Sequence, residues 1–190
     1  RLLEMQRHLM FMYTSCGWFF DDIGGTEAVQ VIQYAARVIQ LARDGMGVDM
    51  ESDFVKRLAL APSNVPDIPN GAEIYHQNAK PGIIDFLSVG AHYAIASLFE
   101  EYPSSTEVYS YHVENLEYRL YKSGKHKLVI GKDRIYSTIT WEEEFVDFAV
   151  LHFGDYNVNC GVRHHREEDF PSIHNHLKAI FLQNDISQTI

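Results

Sequence analysis

Aromatic and acidic side chains cluster at a break between two helical patterns, in the segment MYTSCGWFFDDIGG over residues 12–25. The cluster consists of Trp18, Phe19, Phe20, Asp21 and Asp22. Aromatic faces stack on the C–H surface of sugar rings, and carboxylates accept hydrogen bonds from sugar hydroxyls. The segment therefore indicates a carbohydrate-site wall, in which Trp18 stacks and Asp21 or Asp22 accepts.

The same residues also fit a packed helix–loop–helix corner. Aromatic side chains are more often core residues than ligand platforms, so composition alone favours this second interpretation. Asp22 is then only a local cap near the next helix. The Trp18 ring distinguishes the two interpretations. A ring in an open groove beside acids favours sugar binding, and a ring buried on all sides favours packing.

A second candidate lies in the segment LHFGDYNVNCG, where His152 and Asp155 follow a predicted strand. An imidazole and a carboxylate within hydrogen-bond reach are suited to acid–base chemistry. A polar turn is the simpler interpretation and the one we favour, because Gly154 and Asp155 are both common turn residues.

The segment VRHHREEDFPSIHNH is rich in histidine, and Cys160 and His152 precede it. Imidazole and thiolate groups are ligands for zinc and similar metals. The spacing matches no zinc motif, and on a helix the side chains of His174 and His176 diverge. We therefore expect surface histidines, with no metal site and no cofactor.

The composition sets the class of protein. The chain has 190 residues, a formal net charge of -10 and a pI of about 5.4, so nucleic-acid phosphates repel it. No apolar run approaches the roughly 20 residues of a membrane span. Two distant cysteines fit a reducing compartment, and we expect a cytoplasmic protein. The chain begins in mid-helix without an initiator Met, and we expect it to be a piece of a longer protein.

Helical patterns dominate the first half of the chain. Leu2, Met5, Leu9 and Met12 share one helix face. The strongest helical pattern covers residues 24–45, a shorter one covers 49–61, and a third long helix is predicted over 81–102 with Pro81 in its first turn. The proline-rich segment between the last two reads as a loop.

After Pro103 the sequence is rich in Tyr, Val, Ile and Thr and predicts three to five antiparallel strands. Ser123–Lys125 is a predicted hairpin turn, Gly131–Asp133 is a predicted second break, and residues 145–154 read as a buried strand. A C-terminal helix is predicted over 167–186. The expected fold is α+β, with a bundle of about three helices in residues 1–103 and a small antiparallel sheet with a C-terminal helix in 104–190, in one compact unit.

Several segments together resemble a known domain. They are MYTSCGWFFDDIGGTEAVQVIQYAARVIQLA, PSNVP, GAHYAIASLFEEY and FAVLHFGDYNVNCGVR. They are similar to a domain of unknown function that follows the catalytic barrel in bacterial family-57 glycoside hydrolases, relatives of α-amylases, 4-α-glucanotransferases and α-mannosidases. TSCGWFFD and LHFGD are the most specific pieces, and the resemblance covers nearly the whole chain.

The resemblance implies retaining catalysis by a glutamate nucleophile and an aspartate acid–base on an incomplete barrel, with a helical bundle packed on the barrel mouth. This chain shows no βαβ series for that barrel, so we expect neither carboxylate here and no catalysis by the fragment alone. The resemblance also places a tryptophan of the bundle in the substrate cleft. Trp18 stands in that position, although Gly17 replaces the acid or aromatic residue that often precedes it.

The expected partners are the upstream barrel of the same chain and an α-linked oligosaccharide or polysaccharide. The expected substrate-binding residues are Trp18, Phe19, Asp21, Asp155 and His152. Removing the barrel would expose apolar helices, which favours self-association of the isolated piece.

Two other functional classes stay open. One is a non-catalytic protein-interaction or structural module without a sugar site. The other is a small enzyme centred on His152 and Asp155, with or without a bound metal.

Overall fold

The computed structural model describes residues 1–64 and 66–183, and these divide into two compact units, Arg1–Ile83 and Ile84–Ile190. The boundary near Pro103 that the sequence predicts stays a prediction. The helix that follows Ile83 packs on the sheet and belongs to the second unit. The predicted α+β class is confirmed.

The first unit is helical. Its elements are α1 (Leu2–Phe11), α2 (Cys16–Phe19), α3 (Thr26–Met46), α4 (Glu51–Leu58) and α5 (Gly71–Ile74), which continues as a π-helical turn (Tyr75–Ala79) and a 3-10 turn (Lys80–Gly82). Helix α5 lies in and just beyond the proline-rich segment, where no helical pattern is visible in the sequence. Its first turn is capped by Asn70, whose side-chain oxygen accepts hydrogen bonds from the N–H groups of Ala72 and Glu73 at 3.0 and 3.3 Å.

Helix α3 organises this unit. It begins after Gly25, carries Glu27 in the first turn and ends at Gly47, which has a left-handed φ of 68°. Its two sides support separate hydrophobic clusters. One contains Ile32, Ala36, Ile74, Tyr75 and Ala79, and the other contains Met5, Val38, Leu41 and Ala42. The second cluster holds α1 against α3.

The second unit is a five-stranded antiparallel meander with one helix before it and one after it. The elements are α6 (Phe86–Ala96), β1 (Ser105–Val108), β2 (Tyr111–Ser123), β3 (His126–Ser137), β4 (Glu143–Gly154), β5 (Asn157–His164) and α7 (Phe170–Leu182), and the strands pair in sequence order. The predicted turn at Ser123–Lys125 is confirmed, and Gly124 has a φ of 58°.

The predicted break at Gly131–Asp133 is wrong, because all three residues lie inside β3. Gly131 reflects close packing: a Cβ atom there would lie 2.5 Å from the carbonyl oxygen of Glu117 and would collide with the Phe148 ring. The third long helix is also shorter than predicted. Its N-cap is Asp85, whose carboxylate accepts from the N–H of Ser88 at 2.7 Å, so Pro81 belongs to the preceding turn.

The two helices of this unit cover opposite faces of the sheet. Alternate residues of a strand point to opposite faces. Ile135 and Val146 pack with α6, whereas Ile130 and Leu151 pack with α7. The last positions of the predicted C-terminal helix, 184–186, lie outside the described residues, as does Val65 of the predicted loop. None of the helices in residues 1–64 and 66–183 combines the length and apolar character that a membrane span requires.

Candidate functional site

The predicted aromatic segment forms a loop between α1 and α3, here called the aromatic loop (residues 12–22). The hydroxyl of Thr14 donates to the carbonyl of Phe11 at 2.9 Å just beyond the end of α1. Helix α2 then makes a single turn, in which the N–H of Phe19 donates to the carbonyl of Ser15 at 2.9 Å. The chain leaves this turn in an extended conformation at Phe20.

Gly17 determines which way the rings of this loop face. A Cβ atom at Gly17 would lie 3.1 Å from Cγ2 of Val31, so the bare glycine backbone packs directly against α3. Successive residues of a helix are about 100° apart around its axis. Trp18 and Phe19 therefore turn away from α3, and they are 74 % and 69 % exposed.

This exposure contradicts the packed-corner interpretation, which composition favoured. Phe20 is exposed as well, and its ring makes an edge-to-face contact with Phe19 at a centroid distance of 5.2 Å. Tyr13 lies at the other end of the loop and is also exposed. The loop thus exposes four aromatic side chains instead of burying them in a core.

Asp22 anchors the loop instead of facing a ligand. Its carboxylate accepts hydrogen bonds from the N–H of Gly24 at 2.7 Å, the hydroxyl of Ser63 at 3.1 Å and the N–H of Asn64 at 2.5 Å. These hydrogen bonds lower the pKa of Asp22, and the bond from the N–H of Asn64 has the largest effect. Asp21 is exposed, and no hydrogen bond or ion pair holds it among the residues that the structure describes. Asp21 is therefore the carboxylate of this loop that is open to a ligand.

His152 and Asp155 lie in the other unit, at the β4–β5 hairpin. His152 is buried, and its Nε2 donates to the main-chain carbonyl of Asp155 at 3.0 Å. Its Nδ1 is buried without a partner among the described residues, and its ring packs edge-to-face on Phe99. Asp155 is exposed and has a left-handed φ of 52°. The hairpin is therefore the polar turn that we favoured, with the imidazole bonded to the backbone rather than to the carboxylate.

The expectation of surface histidines is wrong at His165. Its side chain is largely buried beside Asp147, with Nδ1 2.5 Å from Oδ1 of Asp147, and its Nε2 lies 2.9 Å from Oε2 of Glu167. Arg163 donates to the other oxygen of Asp147 at 2.9 and 3.1 Å. The buried carboxylate of Asp147 thus joins Arg163 of β5 and the imidazole of His165 just after that strand.

The remaining metal-ligand candidates are placed as follows. Nε2 of His174 lies 2.9 Å from the hydroxyl of Tyr121. Cys16 and Cys160 are both free thiols, and burial raises the pKa of Cys160 to about 11. Within residues 1–64 and 66–183, no group of three or more His, Cys, Asp and Glu side chains is arranged to hold a metal ion.

The buried carboxylate of Asp133 was not predicted from the sequence. The residue is 0 % exposed, and burial raises its pKa to about 7. Nδ2 of Asn115 donates to its Oδ1 at 2.8 Å, which partly offsets the rise, and its Oδ2 has no partner among the described residues. The only sequence signal was an acidic residue at an inward-facing position of a strand, and the mistaken break at Gly131–Asp133 concealed it.

The structure thus defines an α+β protein with a helical unit that carries an exposed aromatic loop and a sheet unit between two helices. The chain belongs to the family described as domain of unknown function (DUF3536), whose model matches residues 1–190. Membership confirms that the resemblance is to a domain of unknown function. No curated protein and no solved structure matches the chain.

Proposed function

We propose that this domain is the accessory region that follows the catalytic barrel of a family-57-like retaining glycoside hydrolase or glucanotransferase. In this proposal the domain packs on the barrel and walls its carbohydrate cleft. The observation that carries the proposal is the exposure of Trp18 and Phe19 on a loop held from both sides. The resemblance of the sequence supplies the enzyme class.

The energetics of the aromatic loop support a binding role. Burying a side chain such as Phe19 contributes about 1.5–3 kcal/mol, and the exposed rings of this loop forgo most of that stabilisation. Packing at Gly17 and the hydrogen bonds of Asp22 hold the backbone of the loop before any ligand arrives. A preformed aromatic surface loses little conformational entropy on binding. The exposed carboxylate of Asp21 supplies an acceptor for sugar hydroxyls beside the rings.

Each predicted residue then has a stated part. Trp18 and Phe19 stack on the sugar, and Asp21 accepts from a hydroxyl. In the other unit, the exposed carboxylate of Asp155 is an acceptor for a sugar hydroxyl in its own right, and His152 positions its hairpin through the carbonyl of Asp155. The nucleophile and the acid–base of retaining catalysis belong to the barrel, as the resemblance implies.

A protein-docking role without sugar is the second candidate. It is favoured by the outer surface of α1, where Leu3 and Met10 are exposed. Exposed apolar side chains that form a contiguous patch mark interaction surfaces. Both candidate functions place the binding surface on the helical unit, but only the first requires a sugar. A sugar titration therefore separates them.

The test is a fluorescence titration with maltooligosaccharides and mannooligosaccharides. Trp141 also emits, so Trp141→Phe is the reference protein in which Trp18 alone reports. We expect a saturable change in emission for this chain, or for the complete protein that includes the barrel. Calorimetry should show that Trp18→Ala no longer binds sugar. Trp141 is an exposed tryptophan of the other unit, so Trp141→Phe is the matched control and should bind as the parent does.

Undiminished sugar binding by Trp18→Ala would contradict the assignment of this loop. Absence of binding by both this chain and the complete protein would contradict the carbohydrate function and leave protein docking as the remaining candidate.

A further inference from the structure

A cavity of about 610 Å³ lies within the sheet unit, outside the aromatic loop and the β4–β5 hairpin. Residues 97–104, which follow α6, form one side of it, and side chains of β2 and β3 form the other. Its volume is in the range of about 300–1,000 Å³ that small-molecule sites occupy. Nothing in the proposed function uses this cavity.

An irregularity in β2 builds the cavity wall. The register with β3 shifts between Asn115 and Glu117, so Leu116 is the extra residue of a β-bulge. Side chains alternate between the two faces along a regular strand, and Asn115 and Tyr118 are three residues apart. Without the bulge they would therefore point to opposite faces of the sheet. With it, both line the cavity on the face that α6 covers.

Tyrosine rings supply the apolar part of the wall. Tyr93 and Tyr102 stack at a centroid distance of 5.3 Å with an interplanar angle of 29°. The hydroxyl of Tyr118 donates to the carbonyl of Ser97 at 3.1 Å, which ties β2 to the end of α6. Such rings offer flat faces to the C–H surface of a sugar.

Hydrogen-bond acceptors lie beside the rings. Nδ2 of Asn115 donates to Oδ1 of Asp133 at 2.8 Å and to the carbonyl of Glu117 at 3.4 Å. Both amide hydrogens are then engaged, which leaves the side-chain oxygen of Asn115 for a ligand. Glu100 and Glu101 also line the cavity and are exposed. These groups suit a ligand that carries hydroxyl donors.

Two lysines give the cavity a cationic end. Lys122 of β2 and Lys127 of β3 are direct cross-strand partners, and both line the cavity. Neither makes an ion pair with another residue in the part of the chain that the structure describes. Like charges directly opposite each other on a sheet are destabilising. An anion between the two ammonium groups would relieve that repulsion, and lysine binds phosphate as a point charge.

The spacing of these groups fits a single small ligand. Tyr118 and Lys122 are four residues apart on one strand, roughly 13 Å along the backbone. Tyr118, Lys122 and Lys127 nevertheless line the same cavity, so one ligand that carries both a ring and an anionic group can contact all three. A phosphate carries about -1.5 to -2 charges near neutral pH, which matches the two lysines.

We infer that this cavity binds a sugar phosphate, with the sugar ring against Tyr102 and Tyr118 and the phosphate between Lys122 and Lys127. Asn115 and the two glutamates accept from the sugar hydroxyls. The site belongs to the sheet unit and does not depend on the aromatic loop.

The test is isothermal titration calorimetry of the whole chain with glucose 6-phosphate, glucose, inorganic phosphate and adenosine monophosphate as probes. We expect saturable binding of glucose 6-phosphate that weakens as salt is added. The double variant Lys122→Ala/Lys127→Ala should weaken this binding by about tenfold or more. Lys125→Ala is the matched control, since Lys125 lies in the same hairpin and outside the cavity lining, and it should bind as the parent does.

Further variants separate this inference from the proposed function. Tyr118→Leu should weaken glucose 6-phosphate and leave inorganic phosphate unaffected, and Trp18→Ala should change neither. Thermal melting of each variant shows that it is folded. The inference is overturned if glucose 6-phosphate does not bind, if the double variant matches Lys125→Ala, or if inorganic phosphate or adenosine monophosphate binds as tightly as the sugar phosphate.

Discussion

Asp133 provides the sharpest test of the energetics of the sheet unit. Its carboxylate is fully buried in β3 and has a single hydrogen-bond partner among the described residues, the amide of Asn115. Substitution by asparagine keeps the shape of the side chain and the oxygen that accepts from Asn115, and it removes the charge. The Asp133→Asn variant therefore isolates the cost of burying a carboxylate that ionises.

The magnitude follows from the pKa of Asp133, which burial raises from 3.8 to about 7. Because the folded-state pKa is raised, the folded protein keeps the proton while the unfolded chain loses it. The associated stability is fully present below about pH 4 and is lost as the pH rises through about 7. The difference between the two pKa values corresponds to about 4 kcal/mol in the free energy of unfolding.

We expect Asp133→Asn to resemble the wild type at pH 4 and to be more stable by up to about 4 kcal/mol at pH 8. The assay is urea unfolding at pH 4, 6 and 8, read by a short hydrogen-exchange pulse on peptides from β3 and β4. This readout reports the sheet unit alone, which matters because two compact units need not unfold together. Glu107→Gln is the control, since Glu107 is an exposed acid on the edge strand β1.

Either of two results would refute the reasoning. If Asp133→Asn changes the free energy of unfolding by the same amount at pH 4 and pH 8, burial of the charged Asp133 carboxylate does not destabilise the folded protein. A pH-dependent gain in Glu107→Gln equal to that in Asp133→Asn would refute it as well.

Three further predictions concern local structure. Gly131→Ala should destabilise the sheet unit by about 3 kcal/mol in urea unfolding, the upper end for an overpacked core, because the new methyl group collides with Phe148. Asp22→Asn should speed hydrogen exchange of the Asn64 amide at neutral pH, because it weakens the hydrogen bond from that amide to the side chain at position 22. In the wild type the pKa of Asp22 is lowered, so the same hydrogen bond weakens only as the pH falls below 3.8. Asn70→Ala should cost about 1 kcal/mol in thermal unfolding of the helical unit through loss of the cap, and a cost near zero would show that the cap is dispensable.

Local sequence patterns predicted much of the fold. The glycines before α3 and the period of its apolar residues predicted that helix, because caps and helical periodicity act within a few residues. The helix runs past its predicted end at Gly45 and ends at Gly47. The hairpin at Gly124 was predicted for the same reason, since a left-handed turn favours glycine. The start of α6 was missed because two local signals competed, and the side-chain cap of Asp85 outweighed Pro81.

The sequence by itself determined the α+β class, the presence of antiparallel strands after Pro103 and the residues of the aromatic loop. Only the tertiary structure decided that Trp18 and Phe19 face solvent, because that outcome depends on Gly17 meeting Val31 of a different helix. It likewise decided that Asp133 is buried and that Asn115 and Tyr118 share a face. Burial and strand register depend on partners far away in the chain, and a pattern read along the chain does not contain those partners.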